Sequence, residues 1–166
     1  MRRTFAAAIG AVSVAAMLSG AGLASASTRA SAPAAHGTEH FQIMSTSATA
    51  STNSIIATGL FTAGGVNHPG NTTDKAVFPG GTFKIAHSPG KGTQSFNPKT
   101  CLLTLNLHGT YTVGHGTGHY AGIRGHGKYQ LSILAIGARS GGKCSQSKPP
   151  VTFQQIIKAS GPVSLP

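Results

Sequence analysis

The sequence predicts an all-β domain, a small antiparallel barrel or sandwich of about seven or eight short strands with almost no helix. Three observations lead there. Apolar and polar residues alternate with period two in several runs, most clearly in CLLTLNLHGTYTV from Cys101 to Val113. Clusters of Gly, Pro, Asn and Ser divide those runs at short intervals. No run beyond the N-terminus carries the 3.6-residue apolar spacing of an amphipathic helix.

The chain opens with Arg2 and Arg3, an apolar stretch from Phe5 to Leu23 and a small-residue exit at Ala24-Ser25-Ala26. That is the three-part build of a secretory signal, with cleavage expected after Ala26, so 1–26 is assigned as signal peptide and the product as secreted, with no transmembrane anchor after processing. The small, polar, proline-containing segment 27–39 reads as a flexible lead-in, and 40–166 as a single folded domain.

Within that domain FQIMSTS, from Phe41 to Ser47, is the first strand. NSIIATGLFTAG follows, offering Ile55, Ala57 and Phe61 to one face and Ile56, Thr58 and Leu60 to the other. GGVNHPGNTTDK is thick with turn formers and reads as an exposed loop. KAVFPGGTFKIAHS is interrupted by Pro79-Gly80-Gly81 and gives two short strands or one broken one. PGKGTQSFNPKT reads as another loop. The long strand after it sets Leu103, Leu105, Leu107, Tyr111 and Val113 on one face, with Thr104, Asn106, His108, Thr110 and Thr112 on the other. KYQLSILAIGA groups Tyr129, Leu131, Ile133 and Ala135, and VTFQQIIKASG groups Phe153, Gln155, Ile157 and Ala159. A barrel has the advantage over a sandwich of leaving no free sheet edge.

Charge limits the chemistry. The chain holds 13 Lys and Arg against 2 acids, and removal of Arg2 and Arg3 leaves 11 against 2, a formal +9. Such a surface attracts anionic surfaces and polymers nonspecifically. The cations are scattered singly, so specific nucleic-acid binding is not expected. Glu39 and Asp74 are the only carboxylate side chains, which excludes a multi-carboxylate calcium or magnesium cage and leaves a paired-acid glycosidase nothing to choose from. GxSxG and HExxH motifs are absent. Asp74, in the loop before Phe78, is a candidate rim acid, acting either as a general acid or as a loop cap.

Cys101 and Cys144 are the only cysteines, and in an exported chain an even count is most simply a disulfide. The glycine-rich stretch GTGHYAGIRGHGKY, from Gly116 to Tyr129, matches part of a Walker loop at Gly122 to Lys128. Tyr129 stands where that motif needs Ser or Thr, and a strand follows instead of a helix, so the stretch reads as a tight junction between strands. Its histidines, His115, His119 and His126, have helical spacings in a segment full of helix breakers; no metal and no cofactor is expected. The apolar faces around Tyr111, Tyr129, Leu105 and Leu131 line either a cavity for a small hydrophobic molecule, with a phenol to orient it, or a filled core with the hydroxyls at its rim.

TGLFTAGGVNH, VFPGGTFKIAH and LHGTYTVGHGTGHYAGIRGHGKYQLSI together resemble the strand pattern of the allene oxide cyclase and dirigent barrel superfamily, in the form found among small secreted actinobacterial proteins of unassigned function. The resemblance covers roughly Ile55 to Leu134, and its most telling part is Gly116-Thr117-Gly118-His119-Tyr120-Ala121-Gly122. It implies an antiparallel eight-stranded β-barrel with an apolar internal cavity that confines a reactive hydrophobic molecule. The expected function is accordingly a secreted basic barrel that binds a small apolar ligand. A cyclase or isomerase-like enzyme and a non-enzymatic extracellular or surface-associated structural protein are the alternatives, and oligomeric state stays open.

Overall fold

The computed structural model describes residues 34–166, so the signal segment and the lead-in up to residue 33 lie outside the described residues. The strands are β1 (Ala35–Ser45), β2 (Asn53–Gly59), β3 (Ala63–His68), β4 (Thr73–Phe78), β5 (Gly81–His87), β6 (Lys91–Asn97), β7 (Leu102–Gly114), β8 (Arg124–Ile136), β9 (Arg139–Ser140), β10 (Lys143–Cys144) and β11 (Thr152–Leu165). A 3-10 turn, Gly118–Tyr120, lies between β7 and β8. All pairings are antiparallel, in the order β5-β4-β3-β2-β1-β11-β8-β7-β6, and β5 returns to pair with β7. The result is a closed eight-stranded antiparallel barrel.

The β5–β7 pairing closes the barrel. β5 occupies the end of β7 from Tyr111 to Gly114, while β6 occupies Leu102 to His108, so the two act as one barrel strand with a break between them. Pro89 lies in the break and has no N–H to give a ladder. Ser88 bridges the gap: its N–H donates to the Thr110 carbonyl, and the Thr110 N–H donates to Ser88 Oγ.

The alternation read from β7, β8 and β11 holds, with Tyr111, Val113 and Ala135 buried and Thr110, Thr112 and Lys128 exposed. Three readings are corrected. PGKGTQSFNPKT is not all loop: Lys91–Asn97 is β6, whose residues are exposed on both faces, so it carries no alternation to betray it. GGVNHPGNTTDK contains β3 and the start of β4, and only residues 69–72 remain as the connection. In β3, Gly65 pairs with Ile55 of β2, and a side chain there would meet the Val77 carbonyl and the Phe78 ring. Finally, β1 starts at Ala35, so Thr38 and Glu39, placed in the lead-in by composition, belong to the barrel.

The two ends of the interior differ. Phe41, Phe61, Phe78, Phe83 and Tyr120 fill one end, with Phe83 at 5.5 Å from both Phe78 and Tyr120 between ring centres. At the other end Ile43, Ile85, Tyr111, Leu131 and Ile157 surround open space. Beyond it β6, β7, β8 and β11 run on as a sheet extension. There a disulfide joins Cys101, just ahead of β7, to Cys144 in β10, with Cα atoms 5.4 Å apart. Among the described residues no helix is long and apolar enough to cross a membrane.

Candidate functional site

The glycine-rich segment sets the geometry of the open end. Cross-strand register places Gly109 opposite Tyr129 and Tyr111 opposite Gly127 on the inward faces of β7 and β8. Each tyrosine ring lies over the glycine of the other strand: a Cβ on Gly109 would stand 2.6 Å from Tyr129 Cε1, and one on Gly127 would stand 2.7 Å from Tyr111 Cε1. Two phenols therefore share a wall where two side-chain positions are empty, the device by which an aromatic covers a sheet glycine. The rest of the segment turns β7 into β8. Gly118 and Gly122 take positive φ, 59° and 78°, and Thr117 ties the corner to β5 through Thr82 N–H, which donates to its hydroxyl at 3.0 Å.

The resulting cavity, of ≈ 110 Å³, is walled by Phe41 and Ile43 of β1, Ile85 of β5, Leu131 of β8 and Ile157 and Ala159 of β11, with Tyr111 and Tyr129 among them. Tyr111, Tyr129 and Leu131 thus come together as the sequence placed them. Leu105 does not join them. It faces inward on β7 opposite Ile133 and Gln94, in the extension beyond the cavity.

The two phenols differ. Tyr129 is half-buried and donates its hydroxyl hydrogen to the Ser88 carbonyl at 2.9 Å. Tyr111 is buried and its hydroxyl has no hydrogen-bond partner. Burial, with the negative charge of Glu39 second, pushes the Tyr111 phenol up to about 12, so it remains a neutral donor.

Asp74 corrects its predicted setting. It lies in β4 and not in a loop, buried and facing inward. Asn67 Nδ2 donates to Oδ2 at 2.8 Å and the Gly70 N–H donates to Oδ1 at 2.9 Å. That oxygen also lies 3.5 Å from His87 Nε2. Both Asp74 and His87 border the cavity, and the imidazole meets the Tyr129 ring edge to face, centres 6.3 Å apart. A carboxylate fixed by two donors thus stands beside an imidazole at the border of an apolar space.

His87 was missed in the sequence although FKIAH shows it in phase with Phe83 and Ile85. Glu39 was also missed as an interior group, although it shares phase with Phe41 and Ile43. It is fully buried at the aromatic end, accepting from the Phe61 N–H through Oε2 at 3.1 Å, while Oε1 has no partner. Burial raises its pKa, with the hydrogen bond from Phe61 working in the opposite direction. Among the described residues no group of three or more His, Cys, Asp or Glu side chains is arranged to hold a metal ion.

Both acidic side chains of the chain therefore face the interior, and the outer surface carries the cations without acidic side chains between them. Lys75 and Lys84 stand directly opposite each other across β4 and β5. Comparison with known proteins finds no matching family model, no matching curated protein and no matching solved structure.

Proposed function

We propose that the protein is a secreted binding barrel that takes a small apolar molecule, or the apolar end of a larger one, into the cavity between Tyr111, Tyr129 and Leu131. The observation that carries this reading is the asymmetry of the interior, packed with aromatic rings at one end and open among aliphatic side chains at the other. A volume of ≈ 110 Å³ is below the several hundred Å³ typical of sites for drug-sized ligands. Apolar cavities of about 150 Å³ admit benzene, so the fitting unit is a short branched alkyl group or a single small ring. The imidazole of His87 supplies a polar handle at its edge. Secretion is supported by the signal-like N-terminus together with the disulfide. The barrel architecture also agrees with the allene oxide cyclase and dirigent resemblance.

The test is titration of the purified protein with toluene, p-cresol and short branched alcohols, followed by methyl NMR. Shifts confined to Ile43, Ile85, Leu131 and Ile157, abolished by Leu131→Phe, are the expected result. Shifts spread over surface methyls, or none with any probe, refute the reading.

A cyclase or isomerase-like activity has one specific observation on its side, the Asp74–His87 pair at the cavity edge. On that reading Asp74→Asn leaves probe binding intact and removes turnover of the molecule recovered with the protein, identified by mass spectrometry. Equal turnover by both proteins refutes a catalytic role for the pair.

A further inference from the structure

The outer face of the same barrel holds a second concave site. Register aligns Thr58, His40, Ser160 and Lys128 in one row across β2, β1, β11 and β8. The adjacent row is Ile56, Gln42, Lys158 and Gln130. These outward side chains line a groove of ≈ 540 Å³, several times the volume of the interior cavity and within the range of ordinary ligand sites. With strands about 4.8 Å apart, four strands give a groove length of about 14 Å.

Its chemistry is one-sided. Lys158 is diagonal to both His40 and Lys128, positions about 7–8 Å apart in an antiparallel sheet. No acidic side chain is within the groove, because Glu39 and Asp74 both face inward. The two lysine charges repel each other across this diagonal, and an anion laid along the groove offsets that repulsion. Between the cations stand two amides and two hydroxyls, which donate and accept hydrogen bonds in turn. Polar groups of this kind match a polymer that alternates carboxylates with hydroxyls. A single-stranded nucleic acid would need aromatic platforms for its bases, and the aromatic side chains bordering the groove, Phe41 and Tyr129, point into the barrel. A membrane surface would need a larger apolar patch than Ile56 in the groove and its diagonal neighbour Val66 outside it.

We infer that this groove is a binding site for an acidic polysaccharide, with Lys128 and Lys158 pairing to carboxylates and Gln42, Gln130 and Ser160 hydrogen-bonding the sugar hydroxyls. The inference is independent of what the interior cavity holds.

The probe is polygalacturonate, titrated by calorimetry at physiological ionic strength against the purified protein, the groove variant Lys128→Gln/Lys158→Gln and the control Lys99→Gln/Lys143→Gln. The control removes the same charge from exposed positions at the disulfide end. Binding about tenfold weaker in the groove variant, and less than about twofold weaker in the control, is expected, tenfold being about 1.4 kcal/mol over two charges. Equal weakening in both variants means attraction by net charge alone and overturns the site. So does absence of binding by the unmodified protein. Single-stranded DNA or phosphatidylglycerol vesicles bound as tightly through the same two lysines overturn the assignment to a polysaccharide. Lysine acetylation of the unmodified protein gives the same decision without a variant. Polygalacturonate is expected to protect Lys128 and Lys158 and leave Lys99 and Lys143 reactive; uniform protection refutes the proposal.

Discussion

Replacing Gly109 by alanine tests the tyrosine–glycine wall directly. Gly109 lies in a strand interior and does not use left-handed backbone, so on backbone grounds alone alanine should stabilise it by about 0.5–1 kcal/mol. The packing predicts the opposite sign. The new methyl would stand 2.6 Å from Tyr129 Cε1 and 2.8 Å from both Cζ and the hydroxyl oxygen, with no other residue among its three nearest atoms. Ordinary carbon contacts lie at about 3.5–4.0 Å, so the ring must retreat by about 1 Å. That movement breaks the 2.9 Å hydrogen bond from Tyr129 to the Ser88 carbonyl, at the point where β5 gives way to β6. The lost hydrogen bond costs about 1 kcal/mol and the overpacking about 1–3 kcal/mol, for a net destabilisation of about 1–3 kcal/mol after the backbone gain. Urea unfolding followed by far-UV circular dichroism measures it. Since the clash is with one ring, Tyr129→Leu should relieve it, and a double-mutant cycle should return a coupling of about 1–2 kcal/mol. A Gly109→Ala protein as stable as the parent, or a cycle whose two effects add, refutes the account of why this strand carries glycine.

Two further outcomes follow from buried groups. The folded-state pKa of Glu39 is raised above its ordinary 4.5, so the folded protein holds the proton more tightly than the unfolded chain does. The associated stability is complete below pH 4.5 and is lost as pH rises through the raised value; Glu39→Gln should flatten that part of a Tm-against-pH curve and melt higher than the parent at pH 7. A parent curve with the same slope as the variant contradicts burial as the dominant influence on this carboxyl. The Cys101–Cys144 bridge spans a sequence separation of 43, and its reduction should cost about 4 kcal/mol by loop entropy, lowering Tm by roughly 10 °C or more. An unchanged Tm, with reduction verified by thiol labelling, shows that the unfolded state gains nothing from release of the loop.

The elements legible in the sequence are those with one wet face and one dry face. β7 and β8 announce themselves because each inward residue is apolar or glycine, and Tyr111, Tyr129 and Leu131 could be placed together on that pattern alone. β6 has no dry face, and β3 buries glycine and asparagine where a strand ordinarily shows large apolar groups, so both resemble loops. Asp74 was misplaced for the same reason: its neighbours Asn71, Thr72 and Thr73 are turn formers, while the strand that holds it exists through pairing with β5. The Asp74–His87 contact, the Glu39 environment and the outer groove depend on register between segments distant in sequence. His40 and Lys158, for instance, become diagonal neighbours only because β1 and β11 pair over eleven positions.

Charge placement separates what holds this fold from what the fold can offer to partners. Glu39 is buried with an unpaired oxygen, which opposes folding whenever it is ionised. Outside, Lys75 faces Lys84 and Lys158 lies diagonal to Lys128, pairs that repel with no acid nearby to offset them. Neither pattern stabilises the barrel, so stability must come from the aromatic end, the closed hydrogen-bond ladder and the disulfide. A surface whose fixed charges repel one another is held ready by that rigid frame, and each anion that binds it lowers the electrostatic energy of the folded state. On this argument polygalacturonate should raise Tm as well as bind, because the folded sheet alone holds the groove's cations in register.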